Sequence, residues 1–261
     1  MAIATLDQYI GSTKQYITWF KTASLTTVAA IPFTNFHVAG VPDAGTLAVG
    51  NTANGIVPTD ALAGYPNIGA FGASGYIGKI DYAWTVAGRL HLYDCLFSAG
   101  AYAYNANITL ASQPSFAARV PNADYRGLEI WLEAVTAHTG LQSIRIQYLD
   151  QDGNAGDTGT VATAIAPTLG RMFRLPLAAG DNGVQRIDVV TSTVSTVGTF
   201  NVHVMRLLWT GRVVLANAGE THSFARTGLK QIYADSALRI VVQPDSTAAG
   251  LPQLYIEVCD A

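Results

Sequence analysis

Charge is scarce in this chain. Asp, Glu, Lys and Arg make up 13% of its 261 residues, while hydrophobic residues reach 49%. That charged share is about half the usual one. Such a composition excludes a disordered chain. It also implies that neighbours cover much of the surface, because an isolated domain normally carries more charge. The net charge of -3 and pI near 5.9 provide no basic field, so nucleic acid is not an expected partner. Cysteine is nearly absent. Cys95 and Cys259 are too few for a disulfide framework, and both are expected as reduced, buried thiols. No uninterrupted apolar run reaches the roughly 18 residues of a membrane span, so no membrane partner is expected. The start, Met-Ala-Ile-Ala-Thr-Leu-Asp, lacks a basic segment followed by an apolar one. A secretory leader is therefore not expected, and folding in a reducing cytoplasm is.

Catalytic motifs are missing too. His37, His91, His138, His203 and His222 are scattered, and no HExxH or short His-x-His metal pair occurs. His91 and His203 fall inside strand patterns, where a hydrogen-bonded structural histidine is the ordinary outcome. The run from Asp150 to Asp157 resembles a calcium loop, but its twelfth position is Val161, not the required bidentate carboxylate. An Asp-Gly turn explains the run without metal. Gly72-Ala73-Ser74-Gly75 is the nearest approach to a nucleophile elbow, and it lies in an irregular stretch, not at a strand-to-helix turn. Phosphate- and dinucleotide-binding glycine patterns are absent. Glu129 and Glu133, on one strand, would stand about 13 Å apart, too far for a glycosidase dyad. Both are expected to point away from the core, solvated or at an interface. With Asp152 they exhaust the candidate carboxylates, so neither an enzyme nor a cofactor is expected. Trp84, Trp131 and Trp209 with the twelve tyrosines offer material for a saccharide-stacking platform, though aromatics in strands more often fill cores and interfaces.

What is present is period-two alternation. Leu128, Ile130, Leu132 and Ala134 share one face, with Glu129, Trp131 and Glu133 opposite. After Thr139-Gly140, Ile144, Ile146 and Tyr148 alternate with Ser143, Arg145 and Gln147. The pattern predicts an antiparallel pair with one buried face, joined through Thr139-Gly140, and its second segment ends in the turn sequence Asp150–Asn154. Tyr76–Val86 and Arg89–Phe97 flank Ala87-Gly88 and predict a hairpin. Ile17–Lys21, Ser24–Phe33, Arg171–Leu177, Val184–Val190, Thr199–Trp209, Arg212–Ala216, Gln231–Ala234, Leu238–Gln243 and Gln253–Val258 read as further extended segments, and 153–166 as a Gly/Thr-rich hairpin arm. A short helix capped by Thr5 is predicted within residues 5–16, with Gly11 weakening it. The expected fold is all-β, an antiparallel β-sandwich or jelly roll with at most one short N-terminal helix.

Residues 39–75 are dense in Gly, Pro, Ala and Asn, with few charges and no period, and are far longer than an ordinary loop. Apolar residues at intervals distinguish them from a solvated linker. Residues 1–75 are thus expected to form an N-terminal segment and extended arm, packed on the same domain or a neighbouring subunit, and 76–261 the sandwich. Val41, Pro42, Leu47, Val49, Ile56, Val57, Tyr65 and Phe71 are the arm's candidate interface residues.

The runs GRLHLYDCLFSAGAY (88–102), ASQPSFAARVP (111–121), GLEIWLEAVTAHTGLQSIRIQYLDQDG (127–153), APTLGRMFRLPLAAGDNGVQRI (166–187) and TVGTFNVHVMRLLWTGRV (196–213), with the arm GVPDAGTLAVGNTANG, resemble virion structural proteins of tailed bacteriophages. The resemblance implies a capsid-associated role, as a decoration or cement protein on the capsid surface. Its implied partners are the major capsid protein and further copies of itself, as a dimer or trimer. A tail, baseplate or fibre component contacting host-surface glycan is the alternative. No catalytic residue follows from the resemblance.

Overall fold

A computed structural model describes residues 3, 5–49, 51–72, 74–138, 140–163, 168–193 and 197–260. The expected turn residue Thr139, Ala73 of the elbow look-alike and residues 164–166 of the expected hairpin arm lie outside the described residues. Among the described residues the chain forms antiparallel sheets with two short α-helices. It divides into two compact units: Met1–Gly45, Thr59–Asp94 and Leu208–Ala261 form the first, and Thr46–Pro58 with Cys95–Leu207 the second. The 39–75 arm is split between them.

In the first unit, Ala218–His222, Gly75–Trp84, Pro252–Asp260, Lys14–Lys21 and Gly40–Val41 are neighbours in that order in one sheet. Opposite it stands Leu238–Pro244, paired in register with Gly88–Asp94. Trp19, Ile80, Trp84, Leu92, Ile240 and Ile256 are among the residues that fill the space between the sheets. Ile17, Trp19 and Lys21 point inward, which leaves Tyr16, Thr18 and Phe20 outside. Burial of an apolar side chain such as Ile17 stabilises by roughly 1.5–3 kcal/mol, and this drives the alternation.

The second unit repeats the principle. Ala155–Asp157, Ser143–Asp150, Val184–Ser192 and Asn107–Thr109 form one sheet. In the other, Leu128–Thr136 pairs on one side with Met172–Arg174 and on the other with residues 199–206 of a longer strand. Leu128, Ile130 and Leu132 meet Ile144, Ile146 and Tyr148 in a shared core.

The expected antiparallel pair therefore needs correction. Leu128–Thr136 pairs with residues 199–206, and Ser143–Asp150 with residues 184–192. The two segments face each other across the core and belong to different sheets. The expected hairpin around Ala87-Gly88 fails in the same way, because Gly75–Trp84 pairs with Pro252–Asp260 while Gly88–Asp94 pairs with Leu238–Pro244. Two strands that face each other bury the same alternate residues as two strands that pair, so periodicity cannot separate the cases. The three residues 85–87 span roughly 10 Å when extended, enough to cross between stacked sheets. The Asp150–Asn154 turn does close a true hairpin, onto Ala155–Asp157.

Local signals near the N-terminus hold. Thr5 caps the helix α1 (Leu6–Gly11), its hydroxyl accepting from the Gln8 N–H at 3.2 Å while the Gln8 side chain returns a bond at 3.1 Å. The helix stops at Gly11, and the strand Lys14–Lys21 takes over. A second helix, α2 (Phe224–Thr227), was not legible in the sequence; it ends on Gly228 in the left-handed conformation that glycine adopts without strain.

The pairing is directly testable. Arg145 and Thr191 are register partners, close enough for a disulfide between opposed positions. The double variant Arg145→Cys/Thr191→Cys is expected to form that bond on mild oxidation. Ala134→Cys/Arg145→Cys, which the simple hairpin would place opposite each other, is expected to stay reduced, as read by thiol titration and peptide mapping.

Candidate functional site

The sheet face turned away from the core of the first unit carries the most exposed apolar material on regular strands. Tyr16 is 54% exposed, Phe20 39% and Tyr255 40%. Strand register sets them side by side: Thr18 lies opposite Tyr255, and Phe20 opposite both Gln253 and Val41. The Tyr16 and Tyr255 rings stack with centroids 5.3 Å apart. Two depressions open beside these rings. One, of about 560 Å³, lies against Val41, Pro42, Leu62 and Tyr65. The other, of about 520 Å³, runs along Thr18, Asp81, Ala83, Gly219 and Gln253.

The expected interface residues are dispersed over this landscape. Val41 is 53% exposed at the sheet edge. Pro42 is half-buried, and its carbonyl accepts from the Lys21 ammonium at 2.6 Å. The Lys21 amine also reaches the Asp43 carbonyl at 3.2 Å. Burial pushes it down to about 8 against the pull of the Asp43 carboxylate. Tyr65 is buried with its ring 4.7 Å from Phe36, and Phe71 packs on the first unit's core. In the second unit Leu47 is buried, Val49 and Ile56 are half-buried, and Val57 packs on the core. Leu62, 43% exposed, was missed because its stretch has no period. Phe20 was legible, since period two puts it opposite Trp19.

Trp84, Trp131 and Trp209 do not form a surface platform; they are buried, as aromatics in strands more often are. The Trp209 indole donates to His222 Nδ1 at 2.9 Å. Burial pushes His222 down, with Arg226 adding to the effect. His91 is pushed down to about 4 by burial and by Arg89, and contacts Thr210 at 3.0 Å. His138 lies under the Tyr104 ring, and His37 is half-buried. Among the described residues, no three His, Cys, Asp or Glu side chains converge on a possible metal position. Asp150 accepts from the Asp152 and Asn154 N–H groups, both at 2.8 Å.

Glu133 departs from expectation in its burial, whereas Glu129 is only partly covered. Glu129 accepts from the Trp131 indole at 2.8 Å and pairs with Arg174 at 3.1 Å. Glu133 does point away from the core but is fully buried. Asn201 donates to it at 3.2 Å, and the same Asn201 amide donates to the Leu47 carbonyl. His203 Nε2 lies 3.0 Å from Glu133, and its Nδ1 lies 2.7 Å from the Ser98 hydroxyl. The Cys95 sulfur is 3.3 Å from Ser98. This Ser98–His203–Glu133 chain has the connectivity of a nucleophile, base and carboxylate, yet every member is at most 2% exposed. No substrate reaches it in this conformation. Asp152 is occupied by Arg126 at 2.8 Å.

Burial alone would push His203 down, but Cys95 and Glu133 outweigh it and hold the imidazole above its ordinary range. In an unfolded chain the group titrates near about 6.5. Its stabilising contribution is therefore fully present below that pH and is lost as pH rises through the higher folded value. The lowered His91 and His222 act below about 6.5, and Lys21 from about 8 upward. Between about pH 6.5 and 8, stability measured by urea unfolding is expected to fall, and the His203→Gln variant is expected to lose that slope. Glu133→Ala, leaving a buried imidazolium unpaired, is expected to cost about 3–5 kcal/mol.

No family model matches the chain, and no curated protein matches it. Among solved structures it is faintly similar to PirA, at 12% identity over 48% of this chain and 92% of that one, with a TM-score of 0.20. Infectious bursal virus derived T=1 particles give 9% identity over 95% and 78%, with a TM-score of 0.19. The infectious bursal disease virus Gt strain gives 11% over 95% and 81%, with a TM-score of 0.17. Two of the three are viral particles, but likenesses this faint carry no argument about function.

Proposed function

We propose that this chain is a non-enzymatic virion structural protein of a tailed bacteriophage, and that it decorates or cements the capsid by docking on the major capsid protein. The observation that carries this reading is the uncovered face around Tyr16, Val41 and Leu62. These three side chains rim the 560 Å³ depression, and each is more than two-fifths exposed. Exposed apolar groups clustered on a rigid sheet mark a contact surface, and aromatic anchors beside a pocket supply most of the energy in such contacts. The resemblance of the runs at 88–102 and 127–153 to phage virion proteins points the same way. A composition with 13% charged residues suits subunits that are largely covered in an assembly. Self-association as a dimer or trimer would present several such faces at once, and many weak contacts on a shell add through avidity.

Capsids assembled without this chain provide the test. The purified protein is expected to bind them saturably. Val41→Asp and Leu62→Asp, each placing a charge in the contact, are expected to weaken binding by at least tenfold, about 1.4 kcal/mol, without lowering the melting temperature. Failure of the unaltered protein to bind such capsids rejects the reading.

A further inference from the structure

We infer that the 520 Å³ trough of the first unit is a binding site for a neutral saccharide. Four strands lay its side chains out in two rows. Thr18, Tyr255, Asp81 and Thr221 are successive register partners across the sheet, and beside them run Phe20, Gln253, Ala83 and Gly219. Because neighbouring strands are about 4.8 Å apart, each row places a residue at every strand spacing. The small Ala83 and Gly219 form the floor, while Phe20 and Tyr255 rise beside it. A trough of this size falls within the roughly 300–1,000 Å³ of small-ligand sites.

The chemistry of the walls selects the ligand. A pyranose has an apolar face of C–H groups and a rim of hydroxyls. Exposed aromatic rings meet the face, with Tyr adding a polar tip. Carboxylate, amide and hydroxyl groups meet the rim. Asp81 accepts from Thr221 at 2.6 Å and pairs with Lys79 at 2.8 Å. These partners hold its carboxyl below the usual range, so it remains an acceptor. A carboxylate offers about four acceptor positions, which leaves two for ligand hydroxyls. Its charge is offset by Lys79, and Glu220 alongside bonds to the Tyr82 hydroxyl at 2.6 Å. Glu220 stays ionised, its carboxyl held low by the Tyr82 hydroxyl, so the trough carries a modest negative field that disfavours an anionic sugar and leaves a neutral one unpenalised. A protein contact of similar size would call for a desolvated apolar centre. Here the centre is a line of hydrogen-bonding groups.

This inference is independent of where in a virion the chain sits, and its side chains differ from the Val41 and Leu62 contact. The test uses the full chain against an array of neutral and acidic oligosaccharides, followed by saturation-transfer NMR with the tetrasaccharide that gives the strongest array signal. Binding of at least one neutral oligosaccharide is expected. Tyr255→Ala and Asp81→Asn are expected to weaken it about fivefold or more. Ala83→Leu, which fills the floor while removing no polar group, is expected to abolish it, and Leu62→Asp to leave it unchanged. Circular dichroism of each variant establishes that it is folded. Binding of no array member, a preference for acidic saccharides alone, or affinity unchanged in folded Asp81→Asn and Ala83→Leu each overturns the inference.

Discussion

Two stacked sheets lie about 10 Å apart, and in both units the chain crosses that gap where a simple meander would turn back beside itself. The strand ending at Trp84 and the one beginning at Gly88 belong to opposite sheets, as do those ending at Thr136 and beginning at Ser143. Every inward side chain then meets residues from a distant part of the sequence: Ile17 and Trp19 share a core with Ile240 and Leu254, and Leu132 shares one with Ile146 and Val190. The first core cannot be built from a contiguous stretch, whereas the buried members of the second all lie between Leu96 and Val204. The sheets in turn hold in place everything displayed on their outer faces.

A sheet in a sandwich still has an outer face, and the two units treat it differently. In the second unit Glu133, Asn201 and His203 point outward from the shared core but are buried, and the Leu47 carbonyl accepts from Asn201. Polar side chains closed off from water need partners, and Ser98, His203, Glu133 and Asn201 supply them to one another. In the first unit α1 covers only one end of the sheet, where the Tyr9 hydroxyl donates to Glu257 at 2.7 Å. The middle, with Tyr16, Phe20 and Tyr255, remains bare. The same chain therefore spends polar groups where it covers itself and leaves aromatic ones where it does not.

This contrast explains what could be read beforehand. The existence and inward pattern of the strands were legible because alternation reports which face is buried, and Ser143–Asp150 follows it residue by residue. Pairing was not legible, because a strand that faces another and a strand that pairs with it impose the same alternation. The orientation of Glu133 was read correctly and its environment was not, since the cover reaches it through residues such as Leu47 and Asn201, distant in sequence. Phe20 and Tyr255 could be placed on an outer face from period two. Their grouping with Asp81 and Thr221 required the register of four strands whose order in the sheet bears no relation to their order in the chain.

The edge of the first unit's sheet limits how it can associate. Its last strand, Gly40–Val41, has two residues and is followed by Pro42, which has no N–H to donate. Short edges and proline blunt strand-to-strand addition. Lys21 fixes this edge further, since its ammonium is bound to the Pro42 and Asp43 carbonyls, and those acceptors are then occupied. A partner that meets this edge gains little from backbone ladders and must engage side chains on the face. Contact strength is then governed by the aromatic ridge and the depressions on either side of it, which separates a rigid apolar rim at Val41 and Leu62 from a polar trough at Asp81 and Gln253.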